Sequence, residues 1–190
     1  MWWILLTGMV RADNYAYPIV LTGGIGAGSS VSRNAFSGSN GAGVSGHAIF
    51  QLPALAVDLG YQEFYYGGND QNIGDRMIGG IFMGMRHWIR PNGIYMREGL
   101  YHQHETPMGI LQSRPVAATL GAAEGINHRT GLGVGWGILQ PQPASWLPLS
   151  AGLDVGAQYF WDGDQPTYYL SVELTFGLNL GSQNGVIGIQ

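Results

Sequence analysis

The chain has 190 residues and a formal net charge of −4; only 11% of its residues are charged, glycine occupies 32 positions, every cationic residue is Arg, and there is no Cys. An ordinary soluble domain carries roughly 25% charged residues, so the deficit is large. A disordered tail needs high charge and few apolar residues, a nucleic-acid binder needs a basic face, and disulfide, thiolate-zinc and cysteine-nucleophile chemistry need Cys; all are excluded.

Residues 1–12 read as the apolar core of a secretory signal ending at Val10-Arg11-Ala12, without the usual basic n-region. The apolar run Trp2 to Val10 stops at Arg11, far short of the roughly 18 residues of a membrane-spanning helix. Residues 1–12 are read as a signal-peptide remnant whose true start lies upstream or, alternatively, as a mature N-terminus, and 13–190 as a single β-barrel domain.

From Tyr17 onward the governing signal is alternation at period two, the mark of strands with two unlike faces. Residues 17–30 set Ile19, Leu21 and Ile25 against Thr22, Gly24 and Gly26. Gly23 to Gly28 superficially resembles a phosphate loop, but no Lys follows and no helix pattern opens, so that reading fails. The Ser/Asn/Gly stretch from Ser29 to Ser45 is read as a long loop, of the kind that carries recognition. Residues 47–66 form one long strand, with Leu55, Val57, Leu59 and Tyr61 opposite Ala56, Asp58, Gly60 and Gln62. Strands 73–90 and 93–106 follow. Asn92-Gly93 between them favours a two-residue turn, which sets Arg86 across from Gly99 and Arg97 across from Trp88. The pattern over 114–126 is noisier but is read as a fifth strand. After a turn signal at Asn127 to Thr130, strand 129–140 alternates Leu132, Val134, Trp136 and Ile138 with Gly131, Gly133, Gly135 and Gly137. Strands 147–161 and 167–181 are the clearest; the latter sets Tyr168, Leu170, Val172, Leu174, Phe176, Leu178 and Leu180 against small or polar residues. This makes eight strands. A break at Leu52-Pro53 gives nine, and Gln183 to Gln190 would then supply a tenth.

A soluble sandwich also alternates, but its outer face carries charges. Here the polar faces are mostly Gly, Ser, Ala and Gln, a composition for a crowded interior. The last two strands are also long; a tilted membrane-spanning strand needs about 9–11 residues. Only helices and closed barrels satisfy the backbone in lipid, so the apolar faces are expected to point outward into hydrocarbon. Phe64, Tyr65, Tyr66, Trp88, Tyr95, Trp146, Tyr159, Phe160, Trp161, Tyr168 and Tyr169 fall near strand ends, as aromatic girdles do.

The glycine–aromatic alternation of Gly131 to Gly137 and the strand–turn–strand from Met85 to Arg97 resemble the small outer-membrane β-barrels of Gram-negative bacteria, the OmpA/OmpX-type class. The likeness covers about residues 17 to 181 and points to no specific member. It implies a closed antiparallel up-and-down barrel in the bacterial outer membrane, in contact with membrane lipid and lipopolysaccharide. It also implies a structural or surface-interaction role with at most a narrow lumen, any protein partner binding through loop 29–45 or the outer face.

Five charges fall on inward faces: Asp58, Arg86, Arg97, Asp154 and Glu173. An interior of eight strands is just wide enough to be filled by side chains, and unpaired buried charges are costly. The expectation is an ion-pair network plugging the lumen; a charged constriction gating solutes is the alternative. His102, His104 and Glu105 form the one compact set of chemically able residues, with Glu105 on the face opposite the histidines. They are the catalytic candidates if the barrel is instead an enzyme acting on lipid or peptide at its outer rim. No His-x-Ser motif of the lipid A deacylase kind is present, and no aspartate pair suggests a rim protease. A metal needs three or four ligands, and His128 or His47 could complete a set only through the fold, so no metal and no cofactor are expected. His87 and Glu98 are read as a rim pair. A third reading is a subunit of a larger surface assembly.

Overall fold

The computed structural model describes residues 17–32, 35–52, 55–67, 75–89, 93–141, 148–161 and 167–181; the expected signal remnant at 1–12 and the strand at 183–190 lie outside them. Eight strands form one closed barrel in sequence order. They are β1 Ile19–Ser32, β2 Ala35–Gln51, β3 Ala56–Tyr66, β4 Arg76–Trp88, β5 Ile94–Pro107, β6 Asn127–Pro141, β7 Leu149–Phe160 and β8 Thr167–Leu180. Every neighbouring pair is antiparallel, and β8 returns to β1 from Ile19↔Leu180 to Ser32↔Thr167. The ring has no open edge to which a further strand could add, so the count is eight and not ten.

Eight is also the number expected, yet two of the expected strands differ. Residues 47–66 are two strands, not one. Proline has no N–H to give a ladder; β2 ends at Gln51 and β3 begins at Ala56, with the Leu52 N–H bonded to the Leu55 carbonyl between them. Residues 114–126 are not a strand. They hold helix α2, Pro115–Thr119, which follows α1, Met108–Ser113. Pro115 sits at the first helical position, where its missing N–H costs nothing. Gly121 and Gly125 then take positive φ, which breaks any strand. The expected loop 29–45 is largely strand as well: β1 and β2 stay paired out to Ser32↔Ala35.

The connections 67–75, 108–126 and 161–166 share one rim; 52–55, 89–93, 142–148 and the described ends Tyr17 and Gly181 lie at the other. The first rim also carries the β1–β2 connection and holds the two longest connections, 67–75 and 108–126, and transmembrane barrels carry their longer loops on one side. Side chains alternate in and out along each strand, strictly so in β8. The exposed set is apolar, including Ile25, Ile81, Met83, Leu132, Val155, Val172, Leu174 and Phe176. The buried set contains Asp58, Arg86, Arg97, Asp154 and Glu173. This inverts the arrangement of a water-soluble domain and matches a wall facing hydrocarbon.

Candidate functional site

The charged residues form a belt across the middle of the lumen. Arg86 on β4 donates from Nε and Nη2 to Oδ2 of Asp58 on β3, at 2.9 and 2.7 Å. Asp58 also meets His47 Nδ1 of β2 at 2.7 Å. Arg97 on β5 grips Asp154 on β7 with a two-pronged fork, Nη2 to Oδ1 at 2.7 Å and Nε to Oδ2 at 3.1 Å. Its remaining Nη1 donates to the Tyr101 hydroxyl at 2.6 Å, and Tyr95 donates to Asp154 Oδ2 at 2.6 Å. Glu173 on β8 is not drawn to either arginine; it accepts from the Ser45 hydroxyl on β2.

The register differs from the expected one. Arg86 and Arg97 are direct cross-strand partners, and Trp88 pairs with Tyr95. The turn is wider than two residues, with Ile89 N–H bonded to the Ile94 carbonyl at 2.8 Å, which moves the pairing by two positions and leaves the faces unchanged. Like charges directly opposite repel, and the pair splits: Arg86 turns back to β3, while Arg97 reaches over β6 to β7. Both contacts satisfy the charge-assisted hydrogen bonding that a buried ion requires.

Glycine makes these crossings possible. A Cβ on Gly135 of β6 would lie 2.8 Å from Arg97 Nε, and one on Gly60 would lie 2.6 Å from the His47 ring. A Cβ on Gly24 of β1 would lie 2.6 Å from Ser45 Oγ and 2.7 Å from Glu173 Oε2. Wherever the belt passes over a strand, that strand has no side chain there. Two apolar layers flank the belt. Towards the short-turn rim lie Tyr17, Val20, Ile49, Ala56, Trp88, Tyr95 and Leu139. Towards the long-loop rim lie Phe64, Tyr66, Ile78, Phe82, Tyr101, Phe160 and Tyr169, with Gln62 and Gln158 exchanging hydrogen bonds of 3.0 and 2.8 Å among them. The space left beside the belt is a cavity of about 10 Å³ lined by Thr22, His47, Arg86, Asp154 and Glu173 among others, room for about one water.

The second cluster is on the outside of the wall. His102 and His104 share the outward face of β5, and His128 of β6 is the cross-strand partner of His104. His128 Nδ1 and His102 Nε2 are 3.4 Å apart, and one nitrogen from each of the three rings falls within 4.8 Å of the others. Glu105 faces the lumen instead, 3.0 Å from Arg76 and 3.6 Å from Arg129, so it does not share a site with the histidines. Sequence spacing left the histidine pair one ligand short because Asn127 to Thr130 carries turn residues. In the fold this stretch opens β6 and brings in His128, whereas His47 is inside the barrel. His87 Nε2 and Glu98 Oε1 are 3.4 Å apart on the outer face, a diagonal pair.

No protein-family model and no curated protein matches the chain. Among solved structures, neisserial surface protein A is similar over 88% of this chain and 100% of its own, with a TM-score of 0.57 at 12% identity. Ail, the attachment invasion locus protein of Yersinia pestis, is similar over 87% of this chain and 99% of its own, with a TM-score of 0.53 at 13% identity. The chain has the fold of the small outer-membrane β-barrels. In a barrel of this kind the expected aromatic girdle is only half present: Tyr65, Tyr159, Trp161 and Tyr168 face outward, joined by Tyr61. Phe64, Tyr66, Trp88, Tyr95, Phe160 and Tyr169 are buried in the lumen. Trp146 lies outside the described residues. Position near a strand end does not say which face a side chain takes; parity along the strand does.

Proposed function

We propose that the chain is an integral barrel of the bacterial outer membrane with a structural or surface-interaction role and a closed lumen, the long-loop rim facing outward from the cell. The observation that carries this reading is the inversion of polarity: an apolar outer wall around an interior whose charges pair with one another. A wall of this kind is stable only against hydrocarbon, and a lumen packed in layers leaves no continuous water path. Around the long-loop rim, Tyr61, Tyr65, Tyr159, Trp161 and Tyr168 belong at the headgroup level, where the outer leaflet offers lipopolysaccharide. A protein partner would meet the same rim, through the β1–β2 hairpin or the α1–α2 insert, whose Val116 and Leu120 are 73% and 70% exposed.

The test is fractionation of the expressed full chain. The protein stays with outer membranes through alkaline extraction and migrates differently in gels before and after boiling, as a folded barrel does. Recovery as a soluble monomer without detergent would overturn the reading.

A further inference from the structure

We infer that His102, His104 and His128 form a binding site for one zinc-class divalent transition metal on the outer wall of the barrel, just below the long-loop rim. Three neutral imidazoles are a complete protein set for a four-coordinate ion with one open position, and imidazole selects zinc-like metals over magnesium or calcium. Two Zn–N bonds of about 2.0–2.1 Å at a tetrahedral angle place the nitrogens about 3.3 Å apart. His128 Nδ1 and His102 Nε2 already stand at 3.4 Å. The third nitrogen, from His104, lies within 4.8 Å of both.

The scaffold under these rings is rigid. His102 and His104 are two residues apart on one strand, so both project outward, and the β5–β6 register fixes His128 beside them. The ring of His104 is hydrogen-bonded to the backbone of Thr119. Such an outer contact orients a ligating imidazole. Gly121, in the left-handed region at φ +71, rests against the same ring so closely that any Cβ there would collide with it. The turn after α2 therefore acts as a backstop that aims His104 at the other two. His128 is exposed and the other two are half-buried, which leaves the fourth position open to water from the outside. Glu105 points away into the lumen, where it pairs with Arg76, and lies outside this set.

The experiment uses the full chain, without an affinity tag, folded in detergent and titrated with Co²⁺ and then Zn²⁺. The expected result is one Co²⁺ per chain with the intense visible bands of four-coordinate cobalt, displaced stoichiometrically by Zn²⁺. His102→Ala and His128→Ala each weaken binding by roughly 100-fold or more, because two ligands remain where at least three are needed. His87→Ala, which removes an outward histidine elsewhere on the wall, leaves the titration unchanged. Boiled and unboiled gel migration confirms that each variant is folded. Absence of the four-coordinate bands in the folded parent, or equal binding by folded His102→Ala/His128→Ala, overturns the assignment.

Discussion

Arg97 reaches Asp154 across the bare backbone of Gly135. The two charged residues belong to β5 and β7, and β6 runs between them. A methyl group on Gly135 would sit 2.8 Å from Arg97 Nε and 3.0 Å from Cζ. Gly135→Ala is therefore expected to lift the guanidinium off its carboxylate, and Gly135→Val to displace it. Overpacking of this kind costs about 1–3 kcal/mol, and loosening a buried ion pair adds to it. Urea unfolding followed by gel migration should show both variants less stable, Val more than Ala. Gly67→Ala, at a position where an added Cβ meets nothing within 4 Å, should match the parent.

The Arg86–Asp58 pair should be far more costly to break than to replace. Asp58 is fully buried and Arg86 nearly so. Arg86→Met leaves a buried carboxylate with only His47, and Asp58→Asn leaves a guanidinium without an anion. Each single variant should lose about 3–5 kcal/mol. The double variant Arg86→Met/Asp58→Asn removes both charges and should recover much of that loss. A double-mutant cycle measures the coupling; additive losses would show that the two groups are held independently.

Alternation made most of this barrel legible. Tyr168 to Leu180 and Gly131 to Gly137 each announce one apolar and one small face, and the structure places those faces as expected. What misled were local signals that tertiary context overrides. The glycines and serines of 29–45 read as loop, yet small residues are what β1 and β2 need where Tyr66, Phe64 and Glu173 crowd against Gly28, Gly41, Gly43 and Gly26. The segment 114–126 mixed apolar and small residues at random, and its Pro115 and Ala117-Ala118 content belonged to a short helix. These two misreadings and the break at Pro53 left the strand count unchanged. The belt residues were visible as charges on an inward face, but their partners were not. Pairing over an intervening strand depends on the register of two successive hairpins, and no spacing along the chain encodes that Asp154 will lie beside Arg97.

The outer wall gives a depth-dependent expectation. Leu174 is mid-strand in β8 and 51% exposed; Leu180 is at its end. Arginine on a lipid-facing position costs about 2–4 kcal/mol at the bilayer midplane and about 0–1 near the interface. Leu174→Arg folded into lipid vesicles should lose stability in that range, and Leu180→Arg should be close to neutral. Equal effects at the two positions would argue that this face does not cross a bilayer.

Closure of the lumen rests on three layers in series, and the tightest one sets the current. Planar bilayers with the parent protein should show no steps above leak. Arg97→Ala/Asp154→Ala empties part of the belt, yet Trp88 and Tyr95 still stack edge to face at 5.3 Å on one side of it. On the other side Phe82 and Tyr101 keep their centroids 4.8 Å apart. The belt variant should therefore remain silent, although less stable. Water needs a continuous path, so conduction should appear only when belt and aromatic layers are opened together, as in Arg97→Ala/Asp154→Ala combined with Tyr95→Ala and Tyr101→Ala. Each variant must first show the gel migration of a folded barrel. Discrete steps from the belt variant alone would place the gate at the ion pair and favour a charged constriction over a packed plug.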